Sequence, residues 1–384
     1  MENTIAGYFL KFEPLKYLVT NSSAWLGFDT TVLIGFIIFL TFGIVFLGFL
    51  ATVGGFGTIA ERKISADLQA RIGPNRVGPY GAFQLIADGI KMLSKEDIMP
   101  RDADKFLYYL APFLSLFGVV CTIAVVPFSE NFIMADLNVG VFYALAISSL
   151  VGVGIFLGGY ASNSKWSLLG GMRGASQIIS YEIPVTLCIM MIVLLAGGLS
   201  FGAIIDEQAG MPWNWYIFHN PFTFIGFFIF FVSALAETNR APFDLPEAES
   251  ELVSGYHTEY TGIRFGLFAL AEYIEIFVVN GVAVSLFLGG YHLPFSFLEG
   301  TIPGNLLQFG TFFIKTCVLY YVVIWIRWTF PRLRVDQLMS ICWKYLTPIA
   351  IFNLVGVAIW IVCFDGQSMF NLLFTGASHS GGGH

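Results

Sequence analysis

The sequence predicts an all-α polytopic membrane protein with eight transmembrane helices, long cytoplasmic loops and a short amphipathic helix on the membrane surface. Of its 384 residues, 56% are hydrophobic and only 12% are charged, whereas soluble domains carry about 25% charged residues. The apolar residues form runs of about 20, the length that a helix needs to cross a bilayer core of about 30 Å. These runs lack the alternation of membrane β-strands. We therefore expect one membrane domain over residues 1–384.

Eight runs meet this length, and each is interpreted as one membrane span with approximate ends. They cover residues 30–52, 106–127, 138–160, 178–200, 217–236, 262–288, 308–330 and 346–364. Small residues recur within them, as at Gly152 and Gly154, and small residues let membrane helices approach closely. The tail, 366–384, ends in a glycine-rich stretch and is expected to be disordered.

The distribution of Lys and Arg predicts the orientation of the spans. Eight of these residues lie between spans one and two, and most of the others lie in the third, fifth and seventh connections. The connections 128–137, 201–216 and 289–307 contain none, and neither does the C-terminal tail. Because cytoplasmic loops carry the excess of Lys and Arg, the basic connections are predicted to face the cytoplasm and both termini the outside. Lys11 and Lys16 are exceptions on the outer side.

The first basic connection, 61–105, combines a turn with a helix. Its segment 71–81 places two Gly-Pro pairs around Asn75 and Arg76, which predicts a compact, non-helical turn. In the next segment, 82–93, apolar residues recur at helical spacing: Phe83, Ile86, Ile90 and Leu93. This pattern predicts a short helix on the membrane surface. Such a helix either edges a cavity for a lipid-soluble ligand or docks a soluble partner.

A dense group of acids lies in segment 235–251, between the fifth and sixth predicted spans. Its acids surround one basic residue, Arg240, and they are Glu237, Asp244, Glu247, Glu249 and Glu251. Because carboxylates are unfavourable near lipid, acids concentrated beside membrane spans suggest proton or ion handling. The alternative interpretation is a solvated loop that happens to be acidic.

Three further acids are predicted to lie within spans. Glu182 lies about one turn into span four, and Glu272 lies about 15 Å along span six, because it follows Gly262 by ten residues that each rise 1.5 Å. Glu275 shares a helix face with Glu272. Burial raises the pKa of such carboxyls, so we interpret them as proton-pathway residues, against the alternative of structural hydrogen bonds. Lys315, in span seven, is expected to snorkel outward.

The cysteines and histidines predict no bound metal. The five cysteines include no Cys-x-x-Cys pair, which argues against a disulfide framework, a zinc site or an iron–sulfur cluster held by this chain alone. His219, His257 and His292 stand apart from one another in the sequence. The chain also lacks nucleotide and flavin motifs, so it is expected to act only as one component of any oxidoreductase.

Several motifs, in order along the chain, resemble one family. They are Glu61-Arg62-Lys63, residues 73–81 (GPNRVGPYG), Ala87-Asp88-Gly89, Lys95-Glu96, Ser180-Tyr181-Glu182, residues 236–251 (AETNRAPFDLPEAESE) and Ala271-Glu272-Tyr273. From about residue 30 to about residue 364, the chain resembles the H subunit of the bacterial proton-pumping NADH–quinone oxidoreductase, respiratory complex I. The Gly-Pro segment and the acidic segment are the longest and most specific of these motifs.

The resemblance implies a bacterial inner-membrane protein that joins the membrane arm of the complex to the peripheral arm and helps build a chamber for the substrate, quinone. Partner subunits of the two arms would hold the iron–sulfur clusters and FMN, while lipid and quinone are the other expected contacts and nucleic acid is not. The implied proton pathway consists of Glu182, Glu237, Glu247, Glu249, Glu251 and Glu272. The implied quinone chamber includes Glu61, Arg62, Arg240, Phe243 and Asp244.

The chain departs from the family pattern in span three. Val141 to Tyr160 contains no acid, whereas some family members carry one there, so a proton route through this span must use water or a different residue. Three alternatives to the quinone enzyme stay open: a component of a related membrane-bound hydrogenase, a free-standing ion transporter, and a structural anchor whose acids bind basic partner surfaces. We find no internal symmetry of the kind that many transporters have.

Overall fold

The computed structural model describes residues 30–247, 249–292, 302–364 and 367–369. These residues fold mostly into helices and contain no β-strand. Their α-helices are α1 (Thr30–Leu68), α2 (Gln84–Ser94), α3 (Lys105–Ile123), α4 (Gly140–Ala161), α5 (Lys165–Ala196), α6 (Phe201–Glu207), α7 (Tyr216–His219), α8 (Pro221–Glu237), α9 (Glu249–Leu252), α10 (Gly262–Phe287), α11 (Ile302–Thr329), α12 (Val335–Ser340) and α13 (Thr347–Phe364). A π-helical turn, Ile341–Leu346, joins α12 to α13. The predictions for Lys11, Lys16 and most of the tail lie outside the described residues.

Seven helical segments in the described part of the chain are long and apolar enough to cross a membrane. They are Gly43–Leu68, Lys105–Ile123, Gly140–Ala161, Lys165–Ala196, Gly262–Phe287, Gly304–Thr329 and Val335–Phe364. The all-helical membrane fold is therefore confirmed. The remaining predicted span, 217–236, corresponds to α8, an apolar helix of 17 residues that is about 25 Å long, and its crossing of the membrane stays a prediction.

The start of α8 differs from the predicted span because the chain breaks before Pro221. Asn220 is extended, and its side chain accepts a hydrogen bond of 2.7 Å from the backbone N–H of Thr223. The Thr223 hydroxyl in turn accepts a hydrogen bond of 3.2 Å from the backbone N–H of Asn220. This reciprocal cap, with proline in the first turn, begins a new helix. The apolar residues before the break form the separate helix α7.

Two helices organise the packing. Helix α5 packs against α4, α8 and α13, and α10 packs against α1, α3 and α11. Close approach depends on small residues: a Cβ atom added at Gly159 of α4 would lie 2.5 Å from the carbonyl oxygen of Ser167 in α5. This arrangement brings the C-terminal ends of α1 and α8 and the N-terminal parts of α5 and α10 together around the segment between α8 and α10.

The predicted amphipathic helix over 82–93 is present as α2. Its apolar side chains, such as Ile90 and Leu93, are exposed, as a helix on a membrane surface would require, although that location stays a prediction. An ion pair of 2.7 Å between Arg62 of α1 and Asp88 ties α2 to the first span. The preceding Gly-Pro segment is compact, since a Cβ added at Gly81 would lie 2.2 Å from the carbonyl oxygen of Pro74.

The ammonium group of Lys315 in α11 is bonded to backbone carbonyls. Its Nζ donates hydrogen bonds to the oxygens of Leu288, at 2.8 Å, and Gly290, at 2.9 Å. It also lies 4.4 Å from the centre of the Trp215 ring. A cation at the C-terminal end of a helix is favourable, so Lys315 caps α10 and ties it to α11 and to the segment before α7.

We expect Lys315→Met to lower the free energy of unfolding by about 1–3 kcal/mol, because two carbonyls lose a charged donor. Thermal unfolding of the purified assembly would measure the change as a lower Tm. Lys315→Arg retains a cationic donor and is expected to lose less stability. Equal Tm values for the Met variant and the wild type would contradict the capping role.

Candidate functional site

The acidic segment folds inward rather than into solvent. After α8 ends, the chain lies against α5 with Arg240, Phe243, Asp244 and Leu245 all buried. The amide of Gln177 in α5 holds this path, since its Nε2 donates hydrogen bonds of 2.7 Å to the carbonyl oxygens of both Ala236 and Phe243. The buried part, 238–247, is therefore not the solvated loop of the alternative interpretation.

Arg240 is the centre of a buried ionic cluster. Its Nη1 lies 3.4 Å from Oε2 of Glu61 in α1, and its Nη2 lies 3.5 Å from Oε2 of Glu272 in α10. The guanidinium also lies 4.2 Å from the centre of the Tyr273 ring, a favourable cation–π distance. Glu61 makes a second ion pair, with Arg327 at the end of α11. Residues from α1 and α10 thus contact one loop cation, and α11 adds a second cation on Glu61.

Neighbouring groups stabilise the positive charge of Arg240 although the side chain is buried. Burial lowers the pKa of Arg240, but Tyr273, Glu272 and Glu61 raise it, so the net pKa is raised well above its ordinary value. The guanidinium therefore remains charged. It compensates Glu272, which burial would otherwise leave unpaired, and it shares Glu61 with Arg327.

A second set of hydrogen bonds extends the cluster along the segment. The Tyr256 hydroxyl donates a hydrogen bond of 2.7 Å to Glu272, and Nε2 of His257 lies 3.0 Å from Oε1 of Glu247. Glu247 and Glu272 are themselves linked by a side-chain hydrogen bond. Burial raises the pKa of Glu247, but bonding to His257 and the charge of Arg240 outweigh it and lower the pKa to about 2. Glu247 is therefore ionised at neutral pH.

Asp244 and Phe243 lie on the other side of the same loop. Asp244 forms an ion pair of 2.9 Å with Arg332. Burial and the nearby Glu247 raise the pKa of Asp244, whereas Arg332 opposes them, and the net pKa is raised. The Phe243 ring packs 5.8 Å from the Tyr181 ring, so it belongs to the core beside α5.

Three other acids line two neighbouring spaces, a cavity inside the helix bundle and a groove between α4 and α5. Glu237, the last residue of α8, lines a cavity of about 50 Å³ together with Glu275 and Ser148. Glu182 of α5 lines an adjoining groove of about 250 Å³, which is open on the side of the exposed Phe142 and Met190. The linings of the two spaces share several residues, among them Val141. Glu182 and Glu275, both predicted within spans, therefore lie beside space that can hold water.

Two predicted site residues pair with partners near the surface instead of with the buried cluster. Glu251 is exposed and pairs with Arg173 at 2.7 Å, and Arg62, half exposed, pairs with Asp88. Glu249 lies in α9, and its side chain is outside the described residues. The buried cluster thus contains Glu61, Arg240, Glu247 and Glu272, with Asp244 at its edge.

A larger groove lies beside the cluster, between α1, α10 and α11. It encloses about 620 Å³ and is lined almost entirely by apolar side chains, including Phe56, Phe277 and Phe313. Tyr320 also lines the groove, and it lies close enough to Arg240 and Glu61 for electrostatic interaction with both. An apolar groove with a tyrosine between it and charged groups suits a long apolar molecule with a polar head.

Several residues of the cluster escaped prediction from sequence. They are Gln177, Tyr256, His257, Arg327 and Arg332. In the sequence, the two arginines indicate only the orientation of the spans, and His257 has no other metal ligand near it. Tyr273 differs from these residues, because it belongs to the Ala-Glu-Tyr motif that resembles the family. Among the described residues, no group of three or more His, Cys, Asp or Glu is arranged to hold a metal.

Comparisons with known proteins place these residues in a family. A model of the NADH dehydrogenase family matches residues 38–358. The chain is 48% identical, over 331 residues, to the H subunit of NADH-quinone oxidoreductase from Anaeromyxobacter dehalogenans (strain 2CP-C), covering 83% of this chain and 80% of the relative. It is 47% identical over 317 residues to NADH-quinone oxidoreductase subunit 8 of Rhodothermus marinus, covering 80% and 92%. The H subunit of the same enzyme from Bacillus mycoides (strain KBAB4) is 46% identical over 343 residues, covering 88% and 96%.

Proposed function

The chain belongs to the NADH dehydrogenase family as an H subunit of NADH-quinone oxidoreductase, and we propose that it helps form the quinone chamber and couples quinone reduction to proton translocation. It contributes to an enzyme complex and does not catalyse the reaction alone. The observation that carries this proposal is the buried cluster around Arg240, which lies against an apolar groove of about 620 Å³.

The groove supports the quinone half of the proposal. Its volume falls within the range of about 300–1,000 Å³ for small-molecule sites, and its aromatic and aliphatic lining fits the apolar tail of a quinone. Tyr320 and the Arg240 cluster lie where a polar ring would follow that tail. Electrons would come from an iron–sulfur cluster that partner subunits hold, together with FMN, so this chain contributes binding and charge.

The cluster supports the coupling half. Reduction of quinone takes up two electrons and two protons, and negative charge arriving on the ring oxygens would attract Arg240. Arg240 would then hold Glu61 and Glu272 less tightly, and their affinity for protons would rise. Glu272 is bonded to Glu247, so the loop would respond with it. From there, the proposed proton route enters the bundle through the spaces at Glu237 and Glu182.

We also propose the membrane arrangement that the charge pattern predicts. In it, α8 is the fifth of eight spans, both termini face the periplasm of a bacterial inner membrane, and the acidic segment faces the cytoplasm. Lys and Arg are concentrated in the connections of one side, which favours this orientation. Peripheral-arm subunits would then contact the cytoplasmic loops, and membrane-arm subunits and lipid would contact the apolar helix faces.

Glu237→Gln and Glu272→Gln test the proposal in the assembled complex. We expect each change to lower quinone reductase activity and proton pumping by about ten-fold, since a positioned acid or base contributes about 10²-fold or more and water replaces part of it. NADH-driven quinone reduction and acidification of inverted vesicles measure the two quantities. NADH oxidation by a water-soluble acceptor checks that the peripheral arm is intact. Wild-type reduction and pumping in both variants would refute the proposal.

A further inference from the structure

Two carboxyl groups from different helices line the cavity of about 50 Å³ inside the bundle. Glu237 ends α8, and Glu275 lies in α10, three residues after Glu272. The exposed fractions of the two residues are only 6% and 5%. Both acids are thus enclosed, and both contribute to the same small space.

The polar groups around this cavity lack hydrogen-bond donors. Apart from the two acids, its lining offers the hydroxyls of Thr122 and Ser148 among apolar side chains. Thr122 donates its hydrogen to the carbonyl of Gly118, at 2.8 Å. Ser148 has one hydrogen, which serves either the carbonyl of Leu145, at 3.0 Å, or the nearby Glu237. Ionised carboxylates would add only further acceptors, so the cavity requires a proton on one acid or water between the groups.

The need for a bound proton or for water applies most directly to Glu275. The charged groups that act on it are Glu237 and Arg240, and within the described residues it has no hydrogen-bond partner. Glu182 is the other charged group that acts on Glu237. Two like charges in one enclosed site are unfavourable, and such pairs bind a proton in common. The volume has room for a few waters, because a single water needs about 10–15 Å³.

The cavity also explains how the bundle manages without an acid in α4. No Asp or Glu occurs between Gly140 and Ala161, and Ser148 is the polar residue that α4 contributes to the lining. We propose that Glu237 and Glu275 form a carboxyl pair that holds one proton across a hydrated cavity, with Glu275 supplying from α10 the acid that α4 lacks. This inference rests on the proton route proposed above.

The test compares Glu275→Gln with Glu275→Asp in the assembled complex. Gln keeps the size of the side chain and removes the acid, whereas Asp keeps the acid and shortens the side chain. We expect proton pumping to fall about ten-fold in the Gln variant, as for loss of a positioned acid, and to fall less in the Asp variant. A space-filling role for Glu275 predicts the reverse order, with Gln close to the wild type, and that order would overturn the inference.

Infrared spectroscopy supplies a readout that does not depend on turnover. A band of a protonated carboxyl that changes on reduction of the enzyme should disappear or shift in both Glu237→Gln and Glu275→Gln, because one proton serves both groups. Glu130→Gln, an exposed acid at the other end of the bundle, is the matched control and should keep the band. A band unchanged by Glu275→Gln would refute the pair.

The same variants separate this inference from the proposed function. If pumping is normal in Glu237→Gln and Glu272→Gln, the proposed function fails. If those variants are impaired and Glu275→Gln pumps normally, the route stands and only the pair is wrong. The abundance of the assembled complex is measured for each variant, and pumping is expressed per complex.

Discussion

Arg240→Met is expected to reduce quinone reductase activity by about 10²–10³-fold and to destabilise the protein within the complex. The change leaves the carboxylates of Glu61 and Glu272 buried without the cation that both contact, and removal of one partner from a buried ion pair costs about 3–5 kcal/mol. A comparable loss in the barrier corresponds to the stated change in rate. NADH-driven quinone reduction in membrane vesicles, together with the amount of assembled complex, measures both effects.

Arg240→Lys provides the matched control for this prediction. Lysine keeps the positive charge, but a single ammonium cannot reproduce the fork with which Nη1 faces Glu61 and Nη2 faces Glu272. We expect an intermediate loss of about ten-fold, since one contact of about 1.4 kcal/mol corresponds to that factor. The double variant Arg240→Met, Glu272→Gln should regain part of the lost stability, because it removes the uncompensated charge. Glu61 keeps its ion pair with Arg327. Wild-type activity in Arg240→Met would show that the cluster is not part of the chamber.

Gly255→Ala is expected to displace the segment that carries Tyr256 and His257. Gly255 has a φ of +60°, and a Cβ atom there would lie 1.5 Å from the carbonyl oxygen of Pro246. The left-handed conformation alone costs an alanine about 1–2 kcal/mol, and the contact is with backbone, which cannot rotate away. We therefore expect Tyr256 to lose Glu272 and His257 to lose Glu247, with a fall in reductase activity of about 10²-fold, equivalent to about 2.7 kcal/mol.

Limited proteolysis between 238 and 261, combined with the reductase assay, would detect this displacement. Gly89→Ala is the matched control, since a Cβ at Gly89 meets nothing within 4 Å and alanine favours a helix by about 1 kcal/mol over glycine. That variant should assemble and resist proteolysis as the wild type does. Equal protease resistance and activity in Gly255→Ala would contradict the close contact with Pro246.

Hydropathy predicted where the helices lie better than where they begin and end. Helix α1 continues from the predicted end at 52 to Leu68, because this stretch, although it has three glycines, contains no proline that would break the helix. Helix α5 begins at Lys165 rather than at 178, because the search for apolar runs does not include its more polar first turns. The break before Pro221 was readable from the Asn-Pro pair, although the apolar run concealed it.

The candidate site divides in a similar way. Residue type and position predicted that acids would cluster near Arg240, but not which acids would meet it. Glu247 is half-buried beside His257, whereas Glu251, four residues later, is exposed and pairs with Arg173. This difference in exposure depends on the path of the chain over α5. That path depends on contacts between residues far apart in sequence, such as Gln177 with Phe243.

The Gln177 amide has a mechanical consequence. One side-chain nitrogen holds the carbonyl of Ala236, in the last turn of α8, and the carbonyl of Phe243, in the middle of the loop. The end of α8 and the middle of the loop are therefore bonded to the same side chain of α5. A movement of either one must displace the other or break a hydrogen bond. Because Glu237 directly follows Ala236, a displacement of the loop near Phe243 would change the backbone position of Glu237. This coupling requires no movement of charge between the two residues.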